Sequence, residues 1–276
     1  MPQQLAYVII TPYSLHKSRT GGILTRLITR TGCELVAARM FAPSAELVKE
    51  YAEETISADD PQDRRIQEHI YDYILRNLSP DPKTGRRRRI MMLLFQGEEA
   101  VRKTRSVVGN ISPDRRVGET IRDTYGDLII DENDQLRYFE PAVLAAPTPS
   151  EAESKLKLWA HYSDTDGGVL QDVIGYQPGE QPQRTLVLIK PENFRFPTGR
   201  PGNMIDFFSR TGLFIVGVKV HRMSVVQAVE FYGPVRETLR TKLKEVVAAK
   251  AKAAIEKELG FKVGREQEQQ LGAILG

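Results

Sequence analysis

Four consecutive arginines, Arg86 to Arg89, form a compact cluster of positive charge in the 276-residue chain. A cluster of this kind can contact the phosphate backbone of a nucleic acid. No aromatic residues are interleaved with the arginines to stack on bases, as single-stranded nucleic-acid sites require. We therefore predict that they lie in a solvated loop that leads into a strand, and we expect no nucleic-acid partner.

Other residue types that commonly carry chemistry are sparse. The chain has four histidines and one cysteine, and no histidine has a second ligand at the spacing of a metal site. We therefore predict no metal bound directly by protein side chains. The pattern Gly-x4-Gly-Lys-Ser/Thr is also absent, which excludes the common glycine-rich phosphate loop.

Composition excludes several classes of protein. The 39 basic and 36 acidic residues leave a net charge of +3, unlike the strongly basic balance of a dedicated nucleic-acid binder. No apolar run approaches the ~20 residues that cross a bilayer, and the start of the chain lacks the pattern of a signal peptide. The single cysteine, Cys33, cannot form an internal disulfide. We therefore expect a cytoplasmic protein that does not contact membranes.

An internal repeat organises the chain. Residues Tyr7–Tyr51 and Leu186–Phe231 share an apolar segment that ends in proline, a following helical segment, and the sequence Arg-Thr-Gly at residues 30–32 and again at 210–212. The offset between the copies is 180 residues at Arg-Thr-Gly, and Ser44 and Ser224 keep the same offset. A match of pattern and register over this length indicates a duplicated structural unit.

Periodicity predicts a βαββαβ core with additional helices, an α+β sheet packed on helices. Strands are predicted at Tyr7–Ile10, Leu35–Phe41, Ile90–Phe95 and Leu128–Ile130. Helices are predicted at Gly22–Arg30, Ala45–Glu54 with Ser44 as N-cap, Arg64–Leu78, Glu98–Val108 and Ser150–Tyr162.

The second copy is predicted to begin in the same way, as strand, helix, strand and helix. It then departs from the first, because Arg236–Leu259 reads as a charged, alanine-rich helix. No counterpart of Ile90–Arg122 follows within the chain. In the first copy, a loop is predicted at Asn110–Gly118.

Several segments resemble the nucleoside diphosphate kinase family. Leu188-Ile189-Lys190-Pro191 is similar to the family's opening strand, which ends in Ile-Lys-Pro. Phe95-Gln96-Gly97-Glu98, followed by Arg105 and Gly109, resembles the family's strand, Glu-Gly and helix. Thr120-Ile121-Arg122 resembles the Gly-Thr-Ile-Arg segment, and Leu158-Trp159 the pair on the last helix. The order and spacing of these segments carry the resemblance.

The resemblance implies a ferredoxin-like α+β sandwich that assembles as a homo-oligomer. It also implies transfer of a γ-phosphate from a nucleoside triphosphate to a diphosphate, through a phosphohistidine and with Mg²⁺. Phosphoryl transfer depends mainly on positioning and on neutralising charge, which suits a cluster of basic side chains. The expected ligands are therefore nucleoside di- and triphosphates, and the expected cofactor is Mg²⁺ brought by the nucleotide.

The resemblance places two phosphate-binding arginines at Arg105 and Arg122 in the first copy, and the phosphate-binding lysine at Lys190 in the second. Other family positions are substituted in the first copy. Thr11 stands at the family's lysine position and Ile111 at its threonine position. Glu140 stands at the position of the catalytic histidine, and Lys155 at the position of the glutamate that supports this histidine.

No catalytic residue is predicted in the first copy, since no histidine lies between His69 and His161. A glutamate can carry phosphate as an acyl phosphate. We expect a structural role for Glu140 instead, because a proline follows it within an apolar stretch.

We therefore predict a family domain at residues 1–162 that lacks the catalytic histidine, a linker at 163–183, a partial second repeat at 184–235 and a charged helical segment at 236–276. The first domain is expected to bind nucleotide or phosphate without phosphohistidine turnover. One alternative is that the chain is part of an active kinase, converting ATP and NDP to ADP and NTP, whose catalytic half lies in a completed second repeat. Another is a non-catalytic oligomeric scaffold. The direction of Arg105 and Arg122 distinguishes them: convergent and unpaired for a nucleotide site, salt-bridged or splayed for a scaffold.

Overall fold

The computed structural model describes residues 3–58, 60, 62–111, 118–133 and 135–275, so most of the predicted loop at Asn110–Gly118 lies outside the described residues. The strands are β1 (Gln3–Ile10), β2 (Glu34–Phe41), β3 (Ile90–Glu98), β4 (Asp127–Ile130), β5 (Leu136–Glu140) and β6 (Val143–Ala145). The helices are α1 (Pro12–His16), α2 (Thr20–Arg30), α3 (Ala45–Glu53), α4 (Arg64–Asn77), α5 (Ala100–Val108), α6 (Ile121–Tyr125), α7 (Pro149–His161), α8 (Ser163–Asp166), α9 (Arg200–Ser209), α10 (Val225–Leu259) and α11 (Arg265–Leu275), with a 3-10 turn at Pro191–Asn193. None of the described helices is long and apolar enough to cross a membrane.

Two compact units make up the chain, Met1–Val220 and His221–Gly276. The first contains a four-stranded antiparallel sheet in the order β2-β3-β1-β6. With α2 after β1 and α5 after β3, the sheet follows the βαββαβ connectivity of a ferredoxin-like fold. The predicted fold class is therefore confirmed.

Apolar side chains of the sheet and of its helices form one continuous core. Strand β1 is buried from Ala6 to Ile10, because it is an inner strand covered on both faces. Trp159 on α7 packs edge-on against Phe41 and Tyr51, at ring-centroid distances of 5.0 and 5.1 Å. These ring contacts pack helix α7, which carries Leu158 and Trp159, against the core of the domain.

The fourth strand of the sheet is β6, whereas the predicted strand Leu128–Ile130 forms outside this sheet. Those residues belong to β4, which pairs only with β5 in a separate two-stranded hairpin. Strand β6 has three residues and pairs with β1 from Val8 to Ile10. So short a strand carries no periodicity in sequence, since its position is set by its partner strand.

The second copy reproduces the predicted helices but not the predicted strands. Ser224 caps α10 as Ser44 caps α3, each accepting a hydrogen bond from a backbone N–H three residues later. Residues 186–190 and 213–220 form no strand, and Leu186 is 86% exposed. In the first copy, β3 lies between β1 and β2 and pairs with both. The second copy lacks this middle strand, so its two edge segments have no ladder to join.

Helix α9 of the second copy packs closely against the equivalent helix of the first, α2. Gly202 approaches Gly21 so closely that a Cβ on Gly202 would lie 2.2 Å from the Gly21 carbonyl oxygen. The Gly21 N–H donates to Asp206 Oδ1 at 2.7 Å, and Thr25 Oγ1 donates to the Gly199 carbonyl at 3.3 Å. Small residues on both helices therefore permit backbone contact between the two copies.

The predicted linker is anchored at its start. Asp166 on α8 is buried and accepts hydrogen bonds from the Ser44 N–H and the Arg87 guanidinium, at 2.7 and 2.9 Å. The Leu170 N–H donates to the Val216 carbonyl at 2.8 Å. Residues 163–170 are therefore held by hydrogen bonds to the domain rather than spanning freely.

The second unit is a helical hairpin of α10 and α11, and the predicted helix Arg236–Leu259 is the carboxyl-terminal part of α10. Gly260 ends α10 with a φ of 71°, a conformation that glycine adopts without strain. Lys252 Nζ lies 3.0 Å from Glu268 Oε2, and Gly272 faces the α10 backbone at Lys244. A small residue and one ion pair thus fix the contact between the helices.

Candidate functional site

Arg122 is buried between the end of α5 and strand β6. It lies on α6, whose start is fixed by a capping box between Thr120 and Asp123. Its Nη1 donates to the Gly109 carbonyl at 2.8 Å, and its Nη2 to the Val143 carbonyl at 3.3 Å. Its Nε is buried and has no hydrogen-bond partner among the described residues. The guanidinium is thus held by neutral acceptors and keeps one donor free.

Arg105 lies in the last turn of α5, close enough to Arg122 for the two charges to repel. Burial is the main cause that lowers the pKa of Arg122 to about 9, and repulsion from Arg105 lowers it further. Burial also lowers the pKa of Arg105, while Asp60 and Glu151 act in the opposite direction. Arg105 Nη1 is buried without a hydrogen-bond partner, and neither arginine forms an ion pair within the described residues. The two cations therefore lie near each other without an ion-paired carboxylate among the described residues, and Asp60 is the acidic residue that acts on both.

An anion fits this arrangement. Buried polar donors in proteins are nearly always paired, and leaving one unpaired costs ~1–3 kcal/mol, or more if it is charged. A phosphate oxygen between Arg105 and Arg122 would accept from both free donors and reduce their repulsion. Arginine binds phosphate in this way through charge-assisted hydrogen bonds. The pair is therefore a candidate site for a phosphate.

Glu140, by contrast, is fully engaged by hydrogen bonds. It is 4% exposed and accepts from Thr11 Oγ1 at 3.0 Å, from the Tyr73 hydroxyl at 2.8 Å and from the Ala142 N–H at 2.9 Å. Burial raises the pKa of Glu140, and the hydrogen bonds from Tyr73, Thr11 and Ala142 oppose that rise. Neither carboxylate oxygen is free to attack a phosphate.

The same cluster shapes the chain between β5 and β6. Ala142 has a φ of 61°, a left-handed conformation that is strained for a residue with a side chain. Its carbonyl accepts from Ser14 Oγ at 2.9 Å and from the Thr11 N–H at 3.3 Å. Glu140, Thr11 and Ser14 therefore hold a tight corner against the end of β1.

Lys155 also forms a buried contact of its own. Its ammonium pairs with Glu151 one turn earlier on α7, and both side chains are buried. Glu151 Oε1 has no hydrogen-bond partner in the described part of the chain. No hydrogen bond or ion pair joins Lys155 to Glu140, so the structure does not unite the residues placed at the histidine position and at its supporting position.

The remaining predicted residues lie apart from the arginine pair. Thr11 belongs to the Glu140 cluster, and Ile111 is half-buried against the core just after α5. Lys190 is exposed in the second copy, immediately before the 3-10 turn. The structure therefore brings together Arg105 and Arg122, but not the full set of positions implied by the resemblance.

Comparison with known proteins gives the family. A family model for nucleoside diphosphate kinase matches residues 4–161, more than half of the chain. The chain belongs to the nucleoside diphosphate kinase family. A curated nucleoside diphosphate kinase from Pyrobaculum aerophilum is 28% identical over 190 residues, covering 58% of this chain and 96% of the relative.

Solved structures of nucleoside diphosphate kinases are also similar to the chain. One from Borrelia burgdorferi, titled a transition state mimic with bound vanadate and ADP, is 16% identical and covers 64% of this chain and 94% of its own, with a TM-score of 0.44. A structure of the Pyrobaculum aerophilum kinase is 21% identical and covers 57% of this chain and 96% of its own, with a TM-score of 0.42.

Among the described residues of this nucleoside diphosphate kinase family member, no histidine forms a hydrogen bond with Arg105 or Arg122. Strand β6, which borders Arg122, presents only Val143, Leu144 and Ala145. His69 on α4 lies against Phe139, with ring centroids 6.2 Å apart, and is half-buried rather than on a fully solvated face. In the described part of the chain, no group of three or more His, Cys, Asp or Glu side chains could hold a metal ion.

Three residues near these groups were not anticipated from sequence. Tyr73 donates to Glu140, Asp60 acts on both arginines, and Glu151 pairs with Lys155. Only Glu151 had a usable signal, its spacing of four residues from Lys155 on a predicted helix. The contacts of Tyr73 and Asp60 link distant parts of the sequence, so no local pattern marks them.

Proposed function

We propose that residues 1–162 bind a nucleoside di- or triphosphate through Arg105 and Arg122, and do not transfer its phosphate through a phosphohistidine. The observation that carries the proposal is the pair of buried, unpartnered donors, Arg122 Nε and Arg105 Nη1. Membership of the nucleoside diphosphate kinase family supplies the ligand class, since the matched model spans both arginines.

Loss of phosphohistidine turnover is supported by the side chains around the pair. Strand β6 is apolar, and the one acidic candidate, Glu140, is held by three hydrogen bonds. A nucleophile must be able to approach the phosphorus in line, which a carboxylate locked by Thr11, Tyr73 and Ala142 cannot do. Glu140 therefore acts as a structural residue.

Mg²⁺ would enter with the nucleotide rather than bind to the protein alone. The described residues offer no cluster of carboxylates or histidines for a metal, and Asp60 is the acidic residue that acts on both arginines. Mg²⁺ is commonly held by substrate phosphates with one or two carboxylates. The ion supplies further neutralisation of phosphate charge when it is bound.

The second copy is proposed to serve assembly. Helix α9 packs on α2 through Gly21 and Gly202, so it occupies a surface of the first domain. A homo-oligomeric scaffold that also retains nucleotide is compatible with this contact.

The unpaired segments at 186–190 and 213–220 favour a second candidate, an active kinase whose catalytic half is a completed second repeat. A strand supplied between these segments would build the missing part of the sheet and would bring Lys190 to the end of its first strand.

Calorimetry with ATP, ADP and GTP, with and without Mg²⁺, tests the proposal on the full chain. Arg105→Ala is the first variant, because Arg105 Nη1 has no hydrogen-bond partner among the described residues. Arg105→Ala with Arg122→Ala is the second. Arg102→Ala is the matched control, since Arg102 lies on the same helix but is exposed and paired with Glu99.

Micromolar binding that is lost in Arg105→Ala and kept in Arg102→Ala is the expected result. Absence of binding at millimolar nucleotide would refute the site. A γ-labelled ATP experiment adds the chemistry: we expect no covalent label, whereas an acid-labile, hydroxylamine-sensitive label absent from Glu140→Gln would overturn the structural role of Glu140.

A further inference from the structure

The arginine cluster Arg86–Arg89 lies in the loop that leads into β3, with Arg86 and Arg87 exposed and Arg88 and Arg89 half-buried. All four arginines line a cavity of about 300 Å³, together with Pro12, Asp81, Thr84 and Val173. The cavity shares no lining residue with the Arg105–Arg122 pair. It is therefore a separate concentration of positive charge that nucleotide binding at the pair leaves unexplained.

The one acidic residue that lines this cavity is already occupied. Asp81 Oδ1 accepts hydrogen bonds from the Lys83 N–H at 3.0 Å, the Thr84 N–H at 2.9 Å and Thr84 Oγ1 at 3.0 Å. The bonds from Thr84 are the largest cause that holds the pKa of Asp81 below its usual value. The Asp81 N–H also donates to the Arg86 carbonyl, which closes the turn. Asp81 thus builds the loop and forms no ion pair with an arginine of the cluster within the described residues.

Two of the arginines are fixed in position by the body of the domain. Arg87 Nη1 lies 2.9 Å from Asp166 Oδ1 and 3.3 Å from the Ala42 carbonyl oxygen. Arg89 donates to the Ile215 carbonyl, and its guanidinium lies 5.4 Å from the centre of the Phe214 ring. Burial lowers the pKa of Arg89. These contacts orient the two cations before any ligand arrives, which reduces the entropy cost of binding.

The other two arginines, Arg86 and Arg88, form no ion pair within the described residues, and they line the same cavity. A cavity with four guanidinium groups attracts an oxyanion with several negative charges. A volume of about 300 Å³ suits a small ligand rather than a strand of nucleic acid, and no aromatic side chain lines it. Phosphate groups in a short chain satisfy both charge and size.

We propose that this cavity is a second anion site that binds a di- or triphosphate group, either inorganic or the polyphosphate tail of a nucleotide. Arg87 and Arg89 provide the fixed side of the site. Arg86 and Arg88 contact the ligand from the loop at residues 81–89. The site is independent of the proposed nucleotide site at Arg105 and Arg122.

Titration of the full chain with sodium tripolyphosphate in the absence of Mg²⁺, followed by calorimetry, tests the proposal. Arg86→Ala with Arg88→Ala should weaken binding by at least about tenfold, because two charge-assisted contacts are lost. Arg64→Ala with Arg102→Ala removes the same charge from exposed residues paired with acids, and should change binding by no more than about twofold. Circular dichroism melts verify that each variant is folded.

A second arm distinguishes the source of the phosphates and the two sites. In an ATP titration, a nucleotide tail in the cavity gives a binding event that is lost in Arg86→Ala with Arg88→Ala and kept in Arg105→Ala. If only tripolyphosphate shows this event, the ligand is inorganic. The proposal is overturned if tripolyphosphate does not bind at millimolar concentration, if the control pair weakens binding equally, or if Arg105→Ala alone abolishes it.

Discussion

Replacing Glu140 measures how much the buried carboxylate contributes to the fold of the first domain. Glu140 accepts three hydrogen bonds, from Thr11, Tyr73 and the Ala142 N–H, and is almost fully buried. Glu140→Ala removes the acceptor of all three donors, because the alanine side chain has no polar atom. Glu140→Gln keeps the shape and one carbonyl oxygen, but turns an amide NH₂ towards a donor.

The magnitude follows from these contacts. A buried donor that loses its acceptor costs ~1–3 kcal/mol, so three donors near the lower part of that range predict a loss of about 3–5 kcal/mol for Glu140→Ala. Glu140→Gln should cost about 1–2 kcal/mol, because a single donor is left facing the amide. The larger loss is a substantial part of the ~5–15 kcal/mol that stabilises a typical domain.

The pH dependence follows from the raised pKa of Glu140. In the folded protein the pKa of the Glu140 carboxyl lies above its ordinary value of 4.5. Above pH 4.5 the folded state therefore holds more protons than the unfolded state. Stability then falls as pH rises. The contribution is complete below pH 4.5 and is lost as pH rises through the folded pKa. The difference in the free energy of unfolding between the wild type and Glu140→Gln should therefore become smaller from acidic to neutral pH.

Urea unfolding at several pH values, followed by circular dichroism, provides the assay. Glu132→Gln is the control, since Glu132 is exposed in the β4–β5 turn and should leave stability nearly unchanged. A loss below about 1 kcal/mol for Glu140→Ala would refute the claim that the three donors depend on this carboxylate. An advantage that grows towards neutral pH would show that the hydrogen bonds outweigh burial.

Two further substitutions test buried contacts elsewhere. Lys155→Met strands the carboxylate of Glu151 and should destabilise the protein by about 3–5 kcal/mol, whereas adding Glu151→Leu should restore most of the loss; equal stability of all variants in urea unfolding would contradict a coupled pair. Gly202→Ala places a Cβ 2.2 Å from the Gly21 carbonyl oxygen and should speed hydrogen exchange of α9. Gly233→Ala, whose Cβ would meet no atom within 4 Å, is the control, and unchanged exchange in Gly202→Ala would show that α9 does not rest on that contact.

Local patterns were sufficient for elements with strong periodicity or clear caps. Ser44 was identified as a helix N-cap because serine accepts a hydrogen bond from the helix start, and the structure places its hydroxyl on the Leu47 N–H. The sheet was harder, since β6 has three residues and its place depends on β1. The segments at 186–190 had the apolar character of a strand, but a strand requires a partner, and none is present there.

The candidate site divides in a similar way. The spacing of Arg105 and Arg122 relative to the conserved segments of the family placed both arginines at phosphate-binding positions. Their burial and unpartnered donors depend on how α5, α6 and β6 meet, which sequence spacing does not contain. For the arginines at 86–89, sequence predicted a solvated loop, while Asp166, Ile215 and Phe214 fix two of them from distant parts of the chain.

Sequence by itself determined the family, the βαββαβ order and the absence of a histidine between His69 and His161. These features depend on residue type and on short-range spacing, which helix and strand geometry convert directly into local structure. Tertiary structure alone decided that Glu140 accepts three buried hydrogen bonds and that Arg105 and Arg122 each keep a buried donor without a partner. Burial, hydrogen-bond partners and electrostatic neighbours are set by residues far apart in the chain, because folding brings them together only once the whole domain is packed.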